Sequence, residues 1–140
     1  MRVDLPFSTC VLVSLFLTGC ASAGERLCVR EACFSVDVVR TDADRARGLM
    51  FRPALEAGRG MFFVFDAEAV YPFWMKNMLF AIDIIWLDKD RRVVHVAADV
   101  PPCIADPCPR YTPSAKASYV LEIPAGDAAR YGIKPGDILR

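Results

Sequence analysis

One histidine stands among the 140 residues, so no second imidazole can join it in a metal site. His95, within Val93-Val94-His95-Val96, is read as a structural or surface residue. A glycine-flanked serine elbow is missing as well, which leaves a Ser-His-Asp catalytic group without support. Neither a phosphate loop nor a GxGxxG fingerprint is present. Net charge is absent too: 17 basic and 17 acidic side chains cancel. That balance argues against a dedicated nucleic-acid binder. No apolar run reaches the roughly 18 residues of a membrane-spanning helix. No repeat or low-complexity stretch occurs, and charge is not segregated, which excludes a long disordered tail. What the chain has instead is apolar side chains, 54% of the total, and a length that suits one domain.

The N-terminus reads as an address. Arg2 precedes the run Phe7 to Leu17, which ends in Leu17-Thr18-Gly19-Cys20. This looks like a lipobox, where bacteria cleave a secretory signal and attach lipid to the new N-terminal cysteine. The expectation is a lipoprotein signal over 1–19, lipidation of Cys20, a tether over 20–26 and one β-rich domain over 27–140. An ordinary signal cleaved after Ala21 or Ala23 is the alternative. On the first reading the protein is exported to the bacterial cell envelope, faces the periplasm and meets the membrane through its lipid.

Cys28, Cys33, Cys103 and Cys108 then remain, an even number in an exported domain, which reads as two disulfides. Leu27 to Val39 alternates like a strand pair around a turn at Arg30-Glu31, placing Cys28 opposite Cys33 within bridging distance. Cys103 and Cys108 sit in a segment with Pro101, Pro102, Pro107, Pro109 and Pro113, which reads as a loop that a disulfide would stiffen. A four-thiolate zinc site is the rival, but zinc pairs are usually separated by two residues and here by four. No metal or other cofactor is expected.

Along the chain, Thr41 looks like an N-cap for a short helix with Asp42 and Asp44 in its first turn and Gly48 beyond its end. Pro53 to Ala57 is a possible further turn. Gly60 to Phe65 is apolar on both faces and reads as a strand covered on both sides. Ile82 to Leu87 and Val93 to Ala98 form a hairpin across Asp88-Lys89-Asp90-Arg91. Tyr119 to Ile123 is another strand, Ala125 to Tyr131 a short helix, and Ile138-Leu139 a final short strand. Short strands with tight connections predict a mainly β fold, a compact β-sandwich or barrel-like single domain with two or three short helices.

Chemistry concentrates in Tyr71-Pro72-Phe73-Trp74-Met75-Lys76-Asn77-Met78. Trp74 supplies a flat apolar wall, Lys76 a point charge, and Asn77 a donor and an acceptor. The plainer reading packs Trp74 in the core and pairs Lys76 with a carboxylate. Asp83, inside a strand apolar on both faces, shares a side with Ile85 and Leu87. A carboxylate buried there needs partners, with Arg47, Arg52 and Lys76 as the expected cations. Glu122 poses the same question more weakly, as it fits the solvent face of an edge strand. Gly132-Ile133-Lys134-Pro135-Gly136-Asp137 is similar to strings in peptide-binding PDZ modules, but it falls at the chain end and is read as turn chemistry.

Five strings occur in order: Arg47-Gly48-Leu49-Met50-Phe51-Arg52, Gly60-Met61-Phe62-Phe63-Val64-Phe65, Phe73-Trp74-Met75-Lys76-Asn77, Asp83-Ile84-Ile85 and Tyr119-Val120-Leu121-Glu122. In them residues 27–140 resemble the domain of unknown function 192 family. The resemblance implies a compact, mainly β domain of sandwich type, exported or lipid-anchored in many members, and leaves activity open. The family string usually continues with threonine after the asparagine, where this chain has Met78.

Three functions follow in order of support. The first is a lipid-anchored envelope domain binding a small polar or anionic ligand, or a glycan, through Arg47, Arg52, Trp74, Lys76, Asn77 and Asp83. The second is an interaction or assembly lipoprotein, marked by a contiguous exposed apolar patch. The third is a carboxylate-based hydrolase using Asp83 and Glu122, which requires both to converge on one cleft. Composition leaves oligomeric state undecided.

Overall fold

Arg30 takes a positive φ of 53° at the tip of the first hairpin, a conformation that glycine adopts more cheaply. The turn joins β1 (Glu25–Val29) to β2 (Ala32–Val39) with Cys28 opposite Cys33, as the alternation predicts. The disulfide between them has a Cα–Cα distance of 4.1 Å. Cys103 and Cys108 form the second disulfide, so all four sulfurs are committed in pairs. The computed structural model describes residues 24–140. The lipobox and Cys20 lie outside the described residues.

Thr41 caps α1 (Asp42–Arg47), its hydroxyl accepting from the Asp44 amide at 3.1 Å. Gly48, at φ 48°, ends it. Then come β3 (Arg59–Ala69), β4 (Phe73–Trp74), β5 (Ile82–Leu87), β6 (Val93–Val100), β7 (Arg110–Tyr111), β8 (Ala117–Pro124) and α2 (Asp127–Arg130). The possible turn at Pro53–Ala57 is not helical: Pro53 is a bend, residues 54–56 are irregular, and a turn forms only at Ala57–Gly58. The proline-rich segment is a loop apart from β7. No helix among the described residues is long and apolar enough to cross a membrane.

Six strands form one mixed sheet in the order β1-β2-β3-β8-β5-β6, with β2 and β3 parallel and the other pairs antiparallel. A separate ribbon pairs β4 with β7. The large sheet curls. Val29 of β1 and Val93 of β6, from opposite ends of the strand order, belong to one buried cluster. The C-terminal residues complete the closure: Arg140 exchanges two backbone hydrogen bonds of 2.7 Å with Cys28, and Leu139 donates to the Arg91 carbonyl at 2.9 Å. The expected final strand is thus a pair of bridges that ties one sheet edge to the other. The fold is mainly β and barrel-like, as the strand pattern predicts.

Alternation along β5 sorts its side chains as parity requires. Ile85 and Leu87 join Phe34, Phe62, Leu121 and Ile123 inside the curl. Ile82, Ile84 and Trp86 join Met61, Phe63 and Val120 on the outer face. Leu49, Met75 and Met78 cover that outer face from the loops. Met78, where the related string carries threonine, is buried and acts as core.

Asp83 corrects an expectation. It is fully buried on the inner side, but no arginine or lysine among the described residues pairs with it. Its Oδ1 accepts from the amides of Asp99 (2.8 Å) and Gly126 (3.2 Å), and its Oδ2 from Ala128 (2.7 Å). Three backbone donors in fixed positions meet the carboxylate's acceptor capacity without a second buried charge. Asp83 therefore fastens β6 and the start of α2 to β5. Asp83→Ala leaves these amides without acceptors and is expected to lower stability by about 3 kcal/mol. Urea unfolding measures this, and a change below about 1 kcal/mol would contradict the latch.

Candidate functional site

The outer face of the sheet needs a cover, and two loops supply it. The loop after α1 presses Leu49 into the outer cluster, and the loop after β4 presses in Met75 and Met78. Residues beside these anchors stay at or near the surface: Arg47 at the end of α1, Phe51 and Arg52 on the first loop, and Lys76 and Asn77 on the second. The loops are joined by the Phe51 amide donating to the Asn77 carbonyl at 2.9 Å. Both residues have positive φ, 62° at Phe51 and 57° at Asn77. Asparagine tolerates that region, whereas for phenylalanine it is strained by about 1–2 kcal/mol. Strain of this kind collects where geometry serves a site.

Beside the first loop lies a cleft of about 430 Å³, lined by Val39, Asp44, Arg47, Phe51, Arg52 and Met61 among others. Arg52 donates to Asp37 at 2.8 Å, and Arg59 holds the other oxygen of the same carboxylate at 3.1 Å. Arg47 has no ion-pair partner among the described residues. The two arginines picked out in the sequence thus share one cleft, with Asn77 bracing its wall through the backbone.

Trp74 and Lys76 stand apart from that cleft. Lys76 pairs with Asp106 of the proline-rich loop at 3.3 Å. Its Nζ and the guanidinium of Arg110 each lie 5.7 Å from the Trp74 ring centroid, within cation–π range. The Trp74 ring is partly exposed and lines a second cleft of about 330 Å³ with Phe65, Tyr71 and Phe73. The buried tryptophan is Trp86, whose indole donates to the Tyr71 carbonyl at 2.8 Å. His95 rests edge-on against Trp86, as a structural histidine does.

Glu122 is the residue whose place the sequence disguised. β8 is a central strand, paired on both sides, and not the edge that its charge suggested. One row across the sheet reads Asp37, Met61, Glu122, Ile84. Residues in such a row point to one face, so Asp37 and Glu122 flank Met61 on the outer side, ~10 Å apart. Glu122 is buried, and its Oε2 has no hydrogen-bond partner among the described residues. Burial pushes its carboxyl up to about 8, against the opposing pull of Arg52. Its position between Leu121 and Ile123 was the available signal. Asp83 lies next to Ile84 in β5 and so points to the opposite face from Glu122. The two carboxyls cannot converge on one cleft, and the hydrolase reading built on them falls.

A buried acid of this kind makes stability depend on pH. The carboxyl titrates near 4.5 when unfolded and near 8 when folded, so the folded chain retains a proton across that window. Stability from this group is full below pH about 4.5, declines by up to about 1.4 kcal/mol per unit, and levels off above about 8. Glu122→Gln keeps the shape and removes the titration. Thermal melts of parent and variant should diverge as pH rises, with the variant more stable at pH about 8. Parallel profiles would assign the pH dependence to other groups.

Comparison with known proteins places this geometry in a family. The model of DUF192 (Uncharacterized ACR, COG1430) matches residues 26–140. A crystallised protein of unknown function from Novosphingobium aromaticivorans is 36% identical, with a TM-score of 0.76 over 82% of this chain and 83% of that one. A candidate transcription regulator from Sinorhizobium meliloti is 26% identical, with a TM-score of 0.75 over 82% and 91%. A UPF0127 protein of Thermococcus kodakarensis is 34% identical over 106 residues, covering 74% of this chain and 62% of the relative. Its counterpart in Thermococcus gammatolerans is 32% identical over 109 residues, covering 74% and 64%. The chain thus spans less than two thirds of these curated relatives. With the family model matched across all but the first residues of the domain, the chain belongs to the DUF192 family.

Proposed function

We propose that this protein is an exported envelope domain, held to the membrane by lipid on Cys20, that binds a small anionic ligand between Arg47 and Arg52. The observation that carries the reading is Arg47, a guanidinium with no ion-pair partner among the described residues, beside an open cleft. A guanidinium fork suits carboxylate or phosphate oxygens in a bidentate geometry. Arg52 can turn to the same anion, because Asp37 keeps Arg59 when Arg52 leaves. Asp44 on the cleft wall repels a second negative charge on that side and favours compact ligands. A cleft of about 430 Å³ matches a small acid in size. Within this reading the Trp74 cleft is a separate subsite. Lys76 and Arg110 beside the ring favour an acidic sugar over a neutral one there.

Two measurements test the proposal. A panel of phosphate, small di- and tricarboxylates and uronic acids should include a compound that raises the melting point of the parent, by about 2.7 kcal/mol of added stability at 100 times its Kd. Arg47→Ala should lose most of that response. A panel that stabilises parent and Arg47→Ala equally would refute the site. In cells, Cys20→Ser should move the protein from the membrane fraction to the soluble fraction. An unchanged distribution would remove the lipid anchor.

A further inference from the structure

Three neighbouring loops each hold one bulky apolar side chain in solvent: Phe51 (66% exposed), Leu79 (62%) and Ile104 (99%). The loops touch one another. The Phe51 amide donates to the Asn77 carbonyl, the Cys103 amide to the Met75 carbonyl at 3.1 Å, and Lys76 reaches Asp106. Lys76, Asn77 and Ile104 line one small hollow of about 150 Å³. Single exposed apolar residues are ordinary, whereas a contiguous set marks an interaction surface. Two of these residues are also held out deliberately. Phe51 keeps its side chain exposed at a φ of 62°, and Ile104 rides on a loop bounded by prolines and closed by the Cys103–Cys108 bond.

The route of the chain gives this surface an orientation. Gly24 lies beside Arg59: a Cβ added there would sit 3.7 Å from the guanidinium. Arg59 shares Asp37 with Arg52, whose cleft Phe51 lines. The point where the chain leaves the domain therefore adjoins the cleft. Ala21, Ser22 and Ala23 alone separate Gly24 from Cys20, a span of at most about 14 Å. A lipid on Cys20 would keep Gly24, and with it the Arg52 side of the cleft, close to the bilayer.

We infer that the face formed by Phe51, Leu79 and Ile104 docks on an anionic phospholipid bilayer, with Arg47 engaging a lipid phosphate. The inference deepens the anion-binding reading, on which the role of Arg47 rests. The apolar tips enter the headgroup region, where tryptophan, phenylalanine and leucine-type side chains gain from partial burial. Among the described residues Arg47 has no ion-pair partner and can meet a phosphate, whereas Lys76 is paired with Asp106 and Arg52 with Asp37. Attraction to an anionic surface near a guanidinium is worth about 1 kcal/mol, a fivefold change in binding.

The test uses the domain from Gly24 onward, without lipid, so that its own affinity is read. Co-sedimentation with phosphatidylglycerol vesicles should exceed that with phosphatidylcholine vesicles, and Arg47→Ala should weaken it about fivefold. Phe51→Asn should weaken it as well while leaving the melting point equal or higher, because asparagine suits the positive φ. Vesicle binding that both variants retain would put the docking face elsewhere and overturn the inference. Inorganic phosphate provides the separating arm. If it stabilises the parent but vesicles do not bind, the membrane inference falls and the anion site stands. If neither engages the domain, both fall.

Discussion

Strands β5 and β8 are buried on both faces, and this single constraint organises the molecule. A sheet with two apolar faces needs two covers. The inner face is covered by the sheet itself, which curls until β1 and β6 share a cluster and the C-terminal residues bridge their edges. The outer face is covered by loops, and loops expose whatever they do not bury. Leu49, Met75 and Met78 are the side chains that cover. Arg47, Phe51, Arg52, Lys76 and Asn77, their immediate neighbours, are left at the rim. The candidate site is thus a by-product of closing the core, placed where two covering loops meet.

The same burial confronts two carboxyls and resolves them in opposite ways. Asp83 finds three backbone amides and becomes a latch between β5, β6 and α2. Glu122 finds no donor for one of its oxygens, and burial favours its protonated form. The first arrangement is stable because every buried acceptor has a donor. The second is a standing penalty near Arg52 and Met61, close to the cleft, which is where a protein tolerates unresolved polarity for a purpose other than stability.

Much of the fold was legible residue by residue. Alternation across Leu27 to Val39 placed Cys28 opposite Cys33, and the disulfide followed. Parity along β5 separated Ile82, Ile84 and Trp86 from Ile85 and Leu87 correctly, since side-chain direction in a strand depends only on counting by two. The pairing of Arg47 with Arg52 was visible as a short string with both cations. The partners of those cations were not. Asp37 reaches Arg52 because β2 and β3 run parallel with Asp37 beside Met61, and no spacing within the chain announces that neighbour.

What the amino-acid order determined by itself was local: which side chains alternate, where Thr41 starts a helix and Gly48 stops it, which cysteines can meet across a two-residue turn, and that the strands carry too much apolar surface to leave either face in water. Tertiary structure alone decided which polar groups answer one another. Asp83 drew amides from Asp99, Gly126 and Ala128 where cations were expected, and Glu122 landed on a central strand where an edge was expected. The reason is physical. Alternation and capping act over a few residues along the chain, whereas the partner of a buried charge is set by strand order and loop course, which bring together residues up to 45 positions apart in the case of Asp83.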